Sequence, residues 1–335
     1  MVRKWLITGG CGFIGRNLIS RLLSEQGNYI RIIDNLSVGS EKDLQSVAEF
    51  ITTNCTLADF PVRNDTSVEL VVGDILDEPL AFKLTEGMDI IVHLAANTGV
   101  APSVKNPRFD CVTNVIGTLN YLEAARLNKV NRFVFASSGA PAGECEPPIH
   151  EELPPHPVSP YGASKLAGEG YCSAYFRTFG VETVALRFSN VYGPLSTMKD
   201  SVVAKFIKRI LDGKDMEIYG DGSQTRDFIY IDDLIRALLS AADESRAGGE
   251  TFQIATAKET SVSELADSLI AIFKEYDATR SIEINYSEPR VGDVKRNFSD
   301  TTKARTLLGW SPAVPLEDGL RRTINWFMEN APKAS

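Results

Sequence analysis

The chain has little with which to hold a metal. Its 335 residues include three histidines and five cysteines. Cys11, Cys55, Cys111, Cys145 and Cys172 show neither a CxxC pair nor any other ligand spacing. No metal site is expected, and the thiols read as free, in a reducing compartment. Basic runs are missing as well. The formal net charge is −9 and no Lys/Arg cluster marks a nucleic-acid footprint. Anionic small molecules stay open, because a few local arginines suffice to hold a phosphate. No apolar run reaches membrane-span length, and the glycines after Thr8 interrupt any signal-peptide core. A cytoplasmic protein with no membrane or nucleic-acid partner is expected. Internal repeats and low-complexity segments are absent too. What remains is an ordinary globular composition, 43% hydrophobic and 24% charged. The length suits one large α/β domain or two domains sharing a core.

What the sequence does have is a strand, a glycine turn and a helix at its start. Trp5, Leu6 and Ile7 form a short apolar run. Gly9, Gly12 and Gly15 follow at three-residue spacing, and Leu18, Ile19, Leu22 and Leu23 then set out an apolar helix stripe. Glycine lets the backbone turn tightly and approach a diphosphate, while free N–H groups at the helix start face the anion. The next apolar run, Tyr29 to Ile33, ends at Asp34, nineteen residues after Gly15. An acid there can hydrogen-bond the ribose 2′-OH of NAD and would repel a 2′-phosphate.

Further along, strands are expected at 68–72, 89–96, 132–136 and 181–188, with helices at 41–50, 80–86, 107–126 and from 161 onward. Residues 51–67 read as an irregular surface excursion containing Pro61. Asp74, after the strand at 68–72, suits either an adenine edge or a helix cap. His93 lies inside an apolar run and reads as a satisfied core histidine. Ala95 and Ala96 are small enough to let a cofactor lie close to the strand end. Strands alternating with helices over residues 1–190 imply a doubly wound, parallel α/β sheet. The last third adds helices near 200–212, 232–243, 261–276, 302–308 and 316–329, with short strands near 216–219, 228–231, 251–255 and 282–285. The expected division is a dinucleotide-binding domain over 1–180, to which segments near 228–258 return, and a largely substrate-binding portion over 181–335.

Tyr161 and Lys165 are four apart, so on a helix they share a face. An ammonium close to a phenol favours phenolate and lowers its pKa from about 10. That yields a base able to take a hydroxyl proton near neutral pH. Ser138, at the end of a neighbouring strand, can hydrogen-bond the same hydroxyl.

With these residues in place the chain resembles the extended short-chain dehydrogenases/reductases, and within them the nucleotide-sugar 4-epimerases of the UDP-galactose and UDP-N-acetylglucosamine type. The matching stretches are TGGCGFIG (8–15), DNLSVGS (34–40), GDI (73–75), HLAANTGV (93–100), SPYGASK (159–165), RFSNVYGP (187–194), GDGSQTRDFIYIDD (220–233) and PRVGD (289–293). The resemblance implies a Rossmann sheet and NAD held by Gly9, Gly12, Phe13, Ile14 and Gly15 in the first turn. Asp34, Asn35, Ser37, Gly39, Asp74 and Ile75 follow at the adenosine side. Leu94, Ala95, Ala96, Asn114, Tyr161 and Lys165 complete the set, with Lys165 on the nicotinamide ribose. It implies Ser138, Asn190, Arg226, Arg290 and Asp293 around a nucleotide-sugar, and two arginines can clamp a diphosphate bidentately. Asn297 occupies the place that borders the sugar's C2 substituent in these epimerases. A small residue there admits an N-acetyl group. A homodimer through the helices at 107–126 and 161–178 is also implied.

One stretch departs from the family pattern. Where S-S-x-x-V-Y-G is usual, this chain reads Ser137-Ser138-Gly139-Ala140-Pro141-Ala142-Gly143. The related 4,6-dehydratases carry Thr-Asp-Glu there as acid and base, and Gly139 and Ala140 have no proton to give. Glu144 or Cys145 could substitute only if the loop folds back. The expected activity is NAD-dependent 4-epimerisation of a UDP-hexose or UDP-N-acetylhexosamine through a transient 4-keto sugar, in the service of polysaccharide synthesis. The alternatives are a nucleotide-sugar dehydratase and a 4-keto-reductase that turns over NAD(P)H.

Overall fold

The computed structural model describes residues 2–53, 67–199, 201–289 and 294–330. The chain begins with β1 (Arg3–Thr8), α1 (Phe13–Leu23), β2 (Asn28–Asp34), α2 (Glu41–Gln45), β3 (Ile51–Thr53), β4 (Val68–Val72), α3 (Glu78–Thr85) and β5 (Ile90–His93). Then come α4 (Val100–Lys105), α5 (Pro107–Cys111), a π-helical turn at Val112–Ile116, α6 (Gly117–Leu127), β6 (Arg132–Ser138), α7 (Pro160–Phe179), β7 (Thr183–Phe188) and β8 (Asn190–Tyr192). The last part holds α8 (Val202–Leu211), β9 (Met216–Tyr219), β10 (Thr225–Arg226), β11 (Phe228–Tyr230), α9 (Ile231–Asp243), β12 (Glu250–Ile254), β13 (Thr260–Ser261), α10 (Val262–Tyr276), β14 (Ile284–Ser287), α11 (Thr302–Leu307) and α12 (Leu316–Asn330).

Eight strands form one sheet in the order β12-β7-β6-β5-β1-β2-β4-β3, and every pairing in it is parallel. All seven residues of β2 and all six of β7 are buried. Helices cover both faces, so such strands are mostly apolar on both sides rather than in alternation, and their buried Arg31 and Arg187 are paired with Glu69 and Glu169. Alternate side chains feed two cores. Trp5, Ile7, Ile30 and Ile32 meet Leu18, Leu22, Leu234 and Leu238 of α1 and α9 on one face. Leu6, Tyr29, Ile33 and Ile91 meet Leu80, Leu84, Tyr121 and Tyr175 of α3, α6 and α7 on the other. The strand order reverses between β1 and β5, so the carboxyl ends of those strands open the crevice where ligands of doubly wound sheets bind.

β7 lies beyond the boundary expected at 180/181 and β12 lies within the segments expected to return; both extend the sheet from β6. Outside it, β8 pairs with β11, β10 with β13 and β9 with β14. Several expectations are corrected. The run 89–96 is a strand only to His93, because beyond it the backbone turns away to bond Thr8. The helix expected at 41–50 ends at Gln45, and residues 51–53 of the supposed excursion pair with β4. The helix expected at 107–126 is interrupted by the π turn, and α4 precedes it. Among the described residues no helix is long and apolar enough to cross a membrane.

Candidate active site

The first turn is built so that nothing stands between backbone and ligand. Gly9 takes φ +72°, and a Cβ there would lie 2.9 Å from Ala95 Cα. A Cβ on Gly15 would lie 2.6 Å from Gly10 Cα. Turn and β5 end are therefore in closest contact only because both sides lack bulk. Gly12 caps α1 without any side-chain acceptor, which leaves the first N–H groups of Phe13, Ile14 and Gly15 at an open, positively polarised helix end.

Asp34 closes the floor of this turn. One carboxylate oxygen accepts from Cys11 N at 2.9 Å and the other from Leu36 N at 2.9 Å. Burial pushes its pKa up while those N–H groups pull it down. Each oxygen keeps a second lone pair for a ribose hydroxyl. Gly39 packs against Cys11, where a Cβ would meet the carbonyl. Asn35 donates to Asp74 Oδ2 at 2.9 Å and accepts from Ser37 N at 3.1 Å. Of the two readings of Asp74, the helix cap falls away: Asp77 caps α3, accepting from Leu80 N at 3.0 Å. Ile75 packs on Gly117, and its carbonyl accepts from Asn120 Nδ2 at 3.0 Å. Leu94 and Ala95 hang from Thr8, the latter through its hydroxyl at 3.1 Å, and Ala96 follows.

His93 is fully buried, with Thr8 Oγ1 3.0 Å from Nδ1 and Thr118 Oγ1 3.2 Å from Nε2. Burial, with Lys165 nearby, pushes its pKa down to about 3. It is a neutral core histidine.

The π turn rotates Asn114 inward. Its Nδ2 lies 3.0 Å from Asn97 O, 3.1 Å from Asp110 Oδ1 and 3.0 Å from Ser164 Oγ, while its Oδ1 accepts from Asn97 N at 2.8 Å. Ser164 donates to the Tyr161 carbonyl at 3.1 Å. These bonds tie the loop after β5 to the first turn of α7. That turn begins cleanly: Ser159 caps it, accepting from Gly162 N at 3.1 Å, and Pro160 takes the first position.

Ser138, Tyr161 and Lys165 come together as expected, but the electrostatics differ. Lys165 does not reach for the phenol. It is buried, donates to Ala136 O at 2.9 Å and stands 4.9 Å from the centre of the Phe135 ring. The phenol of Tyr161 is pushed up to about 12, not down, by burial; a hydrogen bond with Ser138 lowers it and Asp110 raises it. Burial pushes Lys165 down to about 8, opposed by the negative charges of Asp110 and Glu169.

The departing loop packs onto α7. A Cβ on Gly162 would lie 2.6 Å from Ala140 O, and Gly143 bridges to His156. The loop does not fold an acid back onto Tyr161: Glu144 is exposed, and Cys145 faces Arg187 and Glu146.

The other expected substrate residues gather along β10. Arg226 Nη1 donates to Thr225 O at 2.6 Å and Val294 O at 2.7 Å. Asn297 N points to Thr225 Oγ1 at 3.4 Å. Val294 also lines a cleft of about 840 Å³ with Tyr219, Gln224, Tyr286 and Lys295. Asn190 starts β8 and is registered with Phe228 of β11, two residues after Arg226. Arg290 and Asp293 lie outside the described residues. Sequence reasoning missed Thr8, Asn97, Asp110 and Ser164. Asp110 carried a signal, since it precedes Asn114 by one helical turn.

Comparison with known proteins agrees with this geometry. The model of the family "NAD dependent epimerase/dehydratase family" matches residues 5–255. The chain is 36% identical over 329 residues to a UDP-glucose 4-epimerase of Mycolicibacterium smegmatis, covering 97% of this chain and 98% of the relative. It is similar in structure to a UDP-glucose 4-epimerase of Thermotoga maritima solved with UDP-glucose, with a TM-score of 0.85, 34% identity and coverage of 98% and 100%. It is also similar to a UDP-glucuronic acid 4-epimerase of Bacillus cereus solved with UDP-glucuronic acid and NAD, with a TM-score of 0.83, 31% identity and coverage of 97% and 99%.

Proposed function

The chain belongs to the NAD dependent epimerase/dehydratase family, and from that premise we propose that it is an NAD-dependent nucleotide-sugar 4-epimerase acting on a UDP-hexose or UDP-N-acetylhexosamine. The observation that carries this reading is the surroundings of Tyr161. Ser138 and Lys165 stand with it, and the 139–143 loop brings no carboxylic acid, as elimination of a 6-hydroxyl would require.

The first turn fits the cofactor. Its glycines meet the end of β5 where any Cβ would collide, and α1 has no side-chain cap. Gly9, Gly12, Phe13, Ile14 and Gly15 would face the diphosphate. Asp34, with Asn35, Ser37 and Gly39, would take the adenosine ribose, and Asp74 and Ile75 the adenine. Leu94, Ala95, Ala96 and Asn114 would flank the nicotinamide end, with Lys165 on its ribose. Bound NAD supplies a positive ring that acidifies the phenol and a reversible acceptor for the hydrogen and electron pair of C4.

Tyr161 takes the proton of the sugar 4-hydroxyl, which Ser138 holds by a hydrogen bond. The C4–H bond gives way to a C4 carbonyl, and a 4-keto sugar forms. Arg226 and Arg290 clamp the diphosphate throughout, with Asn190 and Asp293 around the rest of the nucleotide-sugar. The binding energy thus sits far from the reacting ring, which is free to turn over. Tyr161 then returns its proton to the oxygen as hydrogen returns to the opposite face of C4. Asn297 borders the C2 substituent. A homodimer would cover the exposed Val104, Phe109, Ile116 and Phe179 of α4 to α7, and a monomer by light scattering at micromolar concentration would overturn it.

The test is incubation of the NAD-loaded protein with a panel of UDP-, dTDP- and GDP-sugars, followed by NMR. Inversion at C4 without net change in NADH supports the reading. Loss of water from the product, or net consumption of NADH with a keto sugar, replaces it with the dehydratase or the reductase.

A further inference from the structure

Asp110, on α5, is fully buried. Its Oδ1 accepts from Asn97 Nδ2 and from Asn114 Nδ2, each at 3.1 Å. Its Oδ2 is buried with no hydrogen-bond partner, and among the described residues no cation comes within ion-pairing distance of it. A buried carboxylate in that state is costly unless a positive charge faces it. The groups around Lys165 show which charge that is. Glu169, one turn on along α7, is already engaged by Arg187 at 2.8 and 2.9 Å. The Cys172 thiol is held neutral because burial pushes its pKa up. On β5, His93 is neutral. From β6 come only the Ala136 carbonyl and the Phe135 ring. Among the described residues Asp110 is therefore the carboxyl acting on Lys165 that no cation pairs. Asn114 Nδ2 links it to Ser164, the residue before Lys165, and its charge also acts on Tyr161, which hydrogen-bonds the uncharged Ser138.

We propose that Asp110 is a positioning residue for the Tyr161–Lys165 pair. Through Asn114 and Ser164 it fixes the first turn of α7, and its buried carboxyl group supplies negative charge near Lys165 that favours the ammonium. The proposal rests on the epimerase reading for the roles of Tyr161 and Lys165. It explains why a carboxylate sits where an asparagine would make the same two hydrogen bonds.

Asp110→Asn keeps the shape and leaves Oδ1 to accept both contacts; it removes the charge and puts an amide NH2 where Oδ2 stands. Loss of a negative neighbour makes both Lys165 and Tyr161 more acidic, so both limbs of the pH–kcat profile of the NAD-loaded enzyme move to lower pH, by roughly half a unit or more. KM for the nucleotide-sugar stays unchanged, and Asp110→Glu, if folded by its melting curve, returns the profile toward wild type. A merely structural role would lower kcat without moving the limbs. Direct NMR titration of labelled Lys165 in the free protein gives a second readout that needs no turnover. Its pKa falls in Asp110→Asn if the inference holds. An unchanged Lys165 titration overturns the inference whatever the reaction is, whereas a wild type that epimerises no sugar overturns only the epimerase reading.

Discussion

The Nζ of Lys165 lies 2.9 Å from the carbonyl oxygen of Ala136, and that bond ties α7 to the strand that ends in Ser138. The register of Ser138, Tyr161 and Lys165 is thus set through backbone, not through contact between lysine and phenol. Two groups whose pKa values are driven apart by burial, up for the phenol and down for the ammonium, stand in one site. Such pairs mark acid–base centres more often than they mark scaffolding.

Tyr161→Phe removes the proton acceptor and the Ser138 hydrogen bond, but no helix contact. Turnover should fall at least about 10²-fold, the scale of a lost general base. Folding and NAD content should stay as in wild type, read by melting and by absorbance of the released cofactor. Near-normal turnover would remove Tyr161 from the chemistry.

Lys165 sets a pH limit. Burial depresses its pKa from 10.5 to about 8. The folded protein therefore gives up this proton at lower pH than the unfolded chain does. The ammonium is present below about pH 8 and is lost as pH rises through that value. Because kcat/KM reports the free enzyme, it should decline above about pH 8. A profile flat to roughly pH 10, near the ordinary lysine value, would show that the charge is not needed.

The sheet was legible because buried parallel strands are mostly apolar, as Val184 to Leu186 are and as Tyr29 to Ile33 are apart from Arg31, which pairs with Glu69. The first turn was legible for a similar reason: its glycines have no substitute at Gly9, where φ is +72°. Strands of two or three residues such as β8, β10 and β13 carry too little pattern to register. The π turn was hidden because Val112, Val115, Ile116 and Leu119 fit an ordinary helical stripe equally well. The direction of the Tyr161 shift was missed for another reason. Spacing places Lys165 on the same face, but only the fold shows that Ala136 takes its proton donor and that burial dominates the phenol.

Asp34 holds the first turn, and in the proposed reading the same side chain selects the cofactor. Asp34→Ala leaves Cys11 N and Leu36 N without their acceptor, which should cost roughly 1–3 kcal/mol of stability in denaturant titration. In wild type the same carboxylate disfavours a 2′-phosphate, so calorimetry should show NAD binding more tightly than NADP. Equal or tighter NADP binding would mean that the ribose lies elsewhere.

The sugar's C2 substituent is the last point at issue. Asn297 is half-buried, and its backbone N–H points to Thr225 Oγ1, on the strand that carries Arg226. The side chain is small, and its amide can donate to or accept from an acetamide. UDP-N-acetylhexosamine should therefore be turned over, with higher kcat/KM than the plain hexose. Asn297→Tyr fills that space and should selectively slow the N-acetylated sugar, by about 10-fold or more if a clash of 1–3 kcal/mol results, while UDP-glucose turnover persists. The comparison within one variant matters, because a general loss of packing would slow both sugars alike. Equal responses would move the size filter to another wall of the pocket, with the 139–143 loop on Gly162 as the next to test.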